Sequence, residues 1–194
     1  MNANEMMSVE EALECVLSHV QPLEAETIPL LEAVGRVAAE DLRSDCDIAP
    51  FDHAAMDGFA VRVADLAQAS AEHPVALQVV GEVPAGSVYS GEVGPGEAVR
   101  IMTGAPVPAG ADAVVKYEIV DCGAGDGRQG SSVSFSQPAG NAENIRGKGE
   151  EIAEGEVAVH AGETISAAGV GFLASCGITE VPVHRRPRVA VIPI

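Results

Sequence analysis

Apolar residues at Val9, Leu13, Val16, Leu17 and Val20 recur at helical spacing behind a capping-box pair, Ser8 and Glu11. The pattern predicts a helix that Gln21-Pro22 stops. TIPLLEAVGRVAAEDLRS reads next as a short helical turn around residues 30–34, then Gly35, then a second helix over residues 36–42. Pro50 biases Ala49 away from the helical region, so DIAPF is extended.

From Phe59 to Glu118 the period drops to two. Phe59, Val61 and Val63 alternate with Ala60 and Arg62, and VALQVVGEV, EAVRIMTG and DAVVKYEIV follow between Gly/Pro-rich turns. GAGDGRQGSS reads as a loose hairpin loop leading to SVSFSQ, and short strands at this spacing point to a small barrel or sandwich. EVAVHAGETI is strand and turn. SAAGVGFLAS is a small-residue helix ended by Gly177, and ITEVPV is strand again. RVAVIPI, after the HRRP linker, has the continuous apolar character of a strand buried on both faces, such as the first strand of a parallel sheet.

The resulting fold class is mixed α+β: a β-rich, barrel-like domain over residues 50–140, inserted into a small α/β domain of residues 1–49 and 141–186, with residues 187–194 starting an α/β domain that is missing. The expected role of the discontinuous domain is that of a linker or dimerisation element.

Composition narrows the function. Aromatics make up 3% of the chain with no Trp, which leaves little surface for stacking bases. Asp plus Glu outnumber Lys plus Arg by 29 to 11, and the net charge of −18 repels nucleic acid and anionic membranes. An anionic substrate must therefore be met by a local cluster of donors. Cys15, Cys46, Cys122 and Cys176 lie far apart without a CxxC pair, as free cytosolic thiols would. The start lacks a basic, apolar signal segment and no stretch reaches membrane-spanning length, so the expected location is cytoplasmic, with no nucleic acid and no membrane as partner.

Three segments carry chemistry-bearing residues. In FDHAAMDGFAV, Asp52, His53 and Asp57 stand close together before a strand, where two carboxylates and an imidazole could hold a metal or move a proton; Asp57-Gly58 is also a sufficient recipe for a plain turn. In RIMTGAPVPAGADAVV, a strand runs into Thr103-Gly104, whose hydroxyl and backbone N–H groups suit an anion, although turn chemistry explains the Gly and Pro residues equally well. In ENIRGKGEEI, Arg146 and Lys148 flank Gly147 and would meet a phosphate or oxyanion, with Glu150 and Glu151 placed to help with Mg²⁺; the alternative is a hydrated loop whose charges pair with each other. His19, His73, His160 and His184 have no ligand-like partners and read as structural or surface residues.

Taken together, the segments resemble the MoeA family, which includes the E domain of gephyrin. The resemblance rests on Pro50-Phe51-Asp52 with Ala55-Met56-Asp57-Gly58-Phe59-Ala60-Val61, on Arg100-Ile101-Met102-Thr103-Gly104-Ala105-Pro106-Val107-Pro108, and on Asn144-Ile145-Arg146 with Gly149-Glu150. It covers essentially the whole chain. What it implies is a molybdopterin molybdenumtransferase, inserting molybdate into adenylylated molybdopterin with hydrolysis of the adenylate, release of AMP and a requirement for Mg²⁺. It also implies an elongated homodimer whose cleft is shared with third and fourth domains that this chain lacks, so that the chain alone is inactive. By position, Asp57 and Thr103 match residues important for activity. Arg146 matches a cleft arginine; with Glu151, and with Lys148 and Gly104 from the reading of their own segments, it is expected on the substrate side, and Asp57 with Glu151 would be the metal ligands. Glu151 stands where the family often has Asp, one methylene shorter, which alters its equivalence as a ligand.

Overall fold

The computed structural model describes residues 7–193, which form two compact units, one of residues 7–45 with 155–193 and one of residues 46–154. In chain order the elements are α1 (Val9–Leu17), β1 (Ala25–Pro29), β2 (Leu42–Arg43), β3 (His53–Ala54), β4 (Gly58–Val61), α2 (Val63–Leu66), β5 (Val75–Val83) and β6 (Glu97–Ile101). Then come β7 (Ala113–Lys116), β8 (Ser132–Phe135), β9 (Ile145–Arg146), β10 (Val157–Val159), α3 (Ala167–Ser175) and β11 (Glu180–His184).

In the first unit, the Ser8–Glu11 capping box starts α1 as the sequence predicts. None of its residues is buried: Val9, Leu13, Val16 and Leu17 are all exposed. β1 pairs antiparallel with β11 and β10 with β2, over a core that includes Leu30, Leu42, Ile165, Leu173, Val181 and Val183. Ser166 caps α3 by accepting the Gly169 N–H, and Gly177, at φ +85°, supplies the left-handed step that ends it.

The helix expected over residues 36–42 does not form. That segment is threaded between two others: Ala38 N–H donates to the Glu163 carbonyl, Ala39 N–H to that of Pro182, and the Val37 carbonyl accepts from His184. Non-local partners outbid the local helical pattern, and Arg36 is buried with its guanidinium on Glu26 (2.6 Å) and the His184 carbonyl (2.7 Å). The strand expected at the end of the chain is absent as well. Ile194 lies outside the described residues, while Val189, Val191 and Ile192 are exposed and carry no ladder, because no neighbouring strand is available among the described residues.

The second unit is built on a five-stranded sheet, ordered β7-β4-β6-β5-β8, antiparallel except between β5 and β6. The sheet curls into a half-barrel. Asp121, beyond β7 on one edge, exchanges two hydrogen bonds with Ser134 of β8 on the other, so the Gly-rich loop closes as a hairpin although β7 and β8 do not pair with each other. β4 lies inside the sheet, between β7 and β6, and is buried on both faces: Phe59 and Val61 enter one cluster with Leu77, Val133 and Phe135, and Ala60 enters another with Val99, Ile101 and Val114. The expected in–out alternation therefore fails there, and Val63 opens a helical turn, its N–H capped by Asp112 (2.6 Å). Phe59 stacks on Tyr117 and meets Phe135 edge-on; burying such a ring contributes about 1.5–3 kcal/mol. No helix among the described residues is long and apolar enough to cross a membrane.

Candidate functional site

The two-residue strand β3 is the point where the three chemistry-bearing segments converge. On one side it pairs with β9, His53 opposite Arg146 and Ala54 opposite Ile145. On the other it takes up the turn after β6: Gly104 N–H donates to the Ala54 carbonyl (2.8 Å), Ala54 N–H to that of Ala105 (3.0 Å), and Val107 N–H to that of Asp52 (3.0 Å). Ala55 N–H reaches the Asn144 carbonyl, and Asn144 Nδ2 donates to that of Val114. Backbone bonding thus gathers segments distant in sequence into one neighbourhood.

Asp57 ends the β3–β4 turn and Thr103 follows β6, so the antiparallel pairing of Gly58 with Ile101 brings them face to face. Thr103 donates twice to the same oxygen, Asp57 Oδ1: from the backbone N–H at 2.7 Å and from Oγ1 at 2.6 Å. Both residues are exposed. The hydroxyl bond, then the backbone bond, hold the Asp57 carboxyl below the ordinary carboxylate range, with a smaller pull from the Arg100 charge. Asp57 is therefore a fixed anion with Oδ2 left outside the two bonds.

Glycine is required at Gly58, where a Cβ would stand 2.0 Å from the Val115 carbonyl oxygen. Gly104 has φ +79° and open space around its α-carbon, so it serves the turn, and its amide is engaged inside the protein.

The loop after β9 divides its charges. The exposed Arg146 guanidinium has no hydrogen-bond or ion-pair partner among the described residues, which leaves it open to a ligand. Lys148 is tied down instead: its ammonium lies 2.9 Å from Asp47 Oδ2, which raises its pKa, and its N–H donates to Asp52 Oδ1 (2.8 Å). Glu150 accepts the Gly147 N–H (2.9 Å), and Glu151 sits next to the Ile48–Ile152 bridge with its N–H on the Ile48 carbonyl. His53 turns towards the Phe51 carbonyl (Nδ1···O 3.4 Å) and meets the Phe51 ring edge-on. Asp52, His53 and Asp57, adjacent in sequence, thus have separate partners, and no three His, Cys, Asp or Glu among the described residues gather to hold a metal ion.

Sequence reading took Arg100 only as part of the RIMTG motif, without a role in the site, and passed over Tyr117; Arg100 lies on β6 and Tyr117 follows β7, its N–H on the Asp57 carbonyl. The signal that could have found them is an arginine inside an apolar strand run, since a buried guanidinium demands partners. Two cavities, of about 370 and 420 Å³, belong to the first unit and contain none of these residues.

A curled half-barrel carrying an Asp–Thr pair and an open arginine on converging loops defines the class. The sequence profile of the MoeA N-terminal region (domain I and II) matches residues 7–177, and the chain belongs to the MoeA family. It is 38% identical over 187 residues to a Mycobacterium tuberculosis protein named molybdopterin molybdenumtransferase 2, covering 96% of this chain and 45% of that one. It is 38% identical over 184 residues to the molybdopterin molybdenumtransferase of Bacillus subtilis, covering 95% and 42%. The crystal structure of the molybdopterin biosynthesis MoeA protein from Pyrococcus horikoshii superimposes with a TM-score of 0.83 at 39% identity, over 92% of this chain and 46% of that one. The chain spans less than half the length of these relatives.

Proposed function

We propose that this chain carries one wall of a molybdopterin molybdenumtransferase site, acting in molybdenum cofactor biosynthesis by inserting molybdate into adenylylated molybdopterin with release of AMP. The observation that carries the reading is the Asp57–Thr103 pair, doubly bonded and exposed, on the same module as an arginine with no partner among the described residues.

The reaction brings anions together, so the protein must offset charge where the reactants meet. Arg146 receives a phosphate or molybdate oxygen, and a guanidinium can do so with two parallel N–H donors. Asp57, kept ionised by Thr103, orients water at the phosphoanhydride. Thr103 holds that carboxylate in a single orientation. Lys148, already matched by Asp47, contributes chiefly by shaping the Arg146 loop, and Gly104 gives the turn its close approach to substrate.

Asp57 Oδ2 and the exposed Glu151 carboxylate, neither with a partner among the described residues, offer the hard oxygen donors that Mg²⁺ takes, and Mg²⁺ commonly binds through one or two carboxylates with phosphate and water completing its shell. Those two residues would hold it, and when bound it neutralises phosphate charge. A homodimer in the cytoplasm, with the rest of the cleft supplied by polypeptide outside this chain, completes the proposal; the chain alone does not turn over.

The test is molybdate insertion into adenylylated molybdopterin by this chain, alone and mixed with the remaining domains of a relative. The expected result is no turnover alone and activity in the mixture that Asp57→Asn removes. A rate alone near that of a full-length relative sinks the incompleteness, and full activity of Asp57→Asn in the mixture sinks the site.

A further inference from the structure

Arg100 stands opposite Phe59 in the β4–β6 ladder and level with Glu82 of β5. Paired residues share a face, so Arg100, Glu82 and Phe59 lie on one side of the sheet, and Asp57 immediately precedes β4, two residues before Phe59. The Arg100 side chain is only 19% exposed. Its Nη1 donates to the Asp126 carbonyl (3.2 Å), and its guanidinium carbon lies 5.2 Å from the Tyr117 ring centroid. The Nε–H is buried without an acceptor, and Glu82, its ion-pair partner, is 4.0 Å away. The guanidinium is thus firmly held but loosely neutralised.

The same brace reaches Asp57 through the backbone. The Tyr117 hydroxyl donates to the Asp126 carboxylate (2.7 Å), its ring stacks on Phe59, and its N–H donates to the Asp57 carbonyl (3.0 Å). Gly127 lets the Asp126 loop lie this close, because a Cβ there would meet the Phe59 ring at 2.6 Å.

We infer that Arg100, braced by Asp126 and Tyr117, is a positioning residue for the Asp57–Thr103 pair. Its charge draws the Asp57 carboxylate towards the sheet, and Tyr117, its ring held under Arg100, fixes the Asp57 backbone through its N–H. The Coulombic pull of Arg100 on Asp57 agrees with this. The inference rests on the proposed role of the pair; its test reads the geometry of the pair and not turnover, so the two can fail separately.

The test is amide hydrogen exchange at Thr103 by NMR, normalised to amides of β5 and β8. Arg100→Gln should speed Thr103 exchange roughly tenfold beyond those controls, while Arg100→Lys, which keeps the charge, should stay within about twofold of wild type. Thr103 exchange that merely tracks the controls in Arg100→Gln overturns the inference, as does equal loss in Arg100→Lys. Should Arg100→Gln fail to fold, Tyr117→Phe decides: it keeps the ring and loses only the bond to Asp126. Thr103 exchange should then rise about threefold, and no change refutes the brace.

Discussion

Replacing Gly58 by alanine would add one methyl group at the centre of the β-rich unit. The new Cβ would lie 2.0 Å from the Val115 oxygen, 2.9 Å from its carbonyl carbon and 3.1 Å from the Lys116 α-carbon. All three are backbone atoms of β7, so no side chain can swing aside, and the strands must part by roughly an ångström to restore van der Waals contact. Overpacking of this kind costs about 1–3 kcal/mol, and this case belongs at the upper end because the β4–β7 hydrogen bonds lengthen with it. At about 4–8 °C per kcal/mol for a small domain, a loss of about 3 kcal/mol lowers the melting temperature by about 12–24 °C. Differential scanning calorimetry of Gly58→Ala against wild type reads this directly. A variant that melts within about 2 °C of wild type would falsify the close-approach argument.

Four further outcomes follow from the same geometry. Thr103→Val removes the hydroxyl bond to Asp57 and should raise the Asp57 titration midpoint, followed by carboxyl NMR; an unchanged midpoint contradicts the assigned cause. Because the folded pKa of Asp57 lies below the ordinary 3.8, its stabilising contribution is complete above that value and is lost as pH falls through the lower folded one; the wild-type minus Thr103→Val stability difference should shrink over that window in urea titrations. Tyr117 should ionise at about 12, and Asp126→Asn should bring it down, read by ultraviolet absorbance. Arg36→Ala should lower the urea midpoint by the equivalent of about 2–3 kcal/mol, less than a fully buried pair because Glu26 is 38% exposed.

Local signals carried most of what could be read from the chain. The capping box before α1, the apolar runs of β5 to β8, and the Ser166 and Gly177 punctuation of α3 need only neighbours in sequence. Residues 36–42 look helical locally but take their hydrogen bonds from residues 163–165 and 182–184, which no window along the chain contains. The parallel β5–β6 pairing and the two-residue β3–β9 ladder are likewise products of the closed fold. The Gly, Pro and Asp residues of the three chemistry-bearing segments are ordinary turn residues, so the segments were legible through their hydroxyl and charged side chains and through the family motifs they form together. That Lys148 is committed to Asp47 while Arg146 is not was hidden, since a partner two residues away on one chain or a hundred residues away looks the same in sequence.

The uncovered face of α1 sets the behaviour of the N-terminal end. A nine-residue helix that buries none of its side chains has only its cap and intrinsic propensity to sustain it, and peptides of that length are mostly coil in water. Winding and unwinding there should be fast and frequent until some surface receives Val9, Leu13, Val16 and Leu17. The helical signal of this short stretch then works as a gauge of whether that seat is filled.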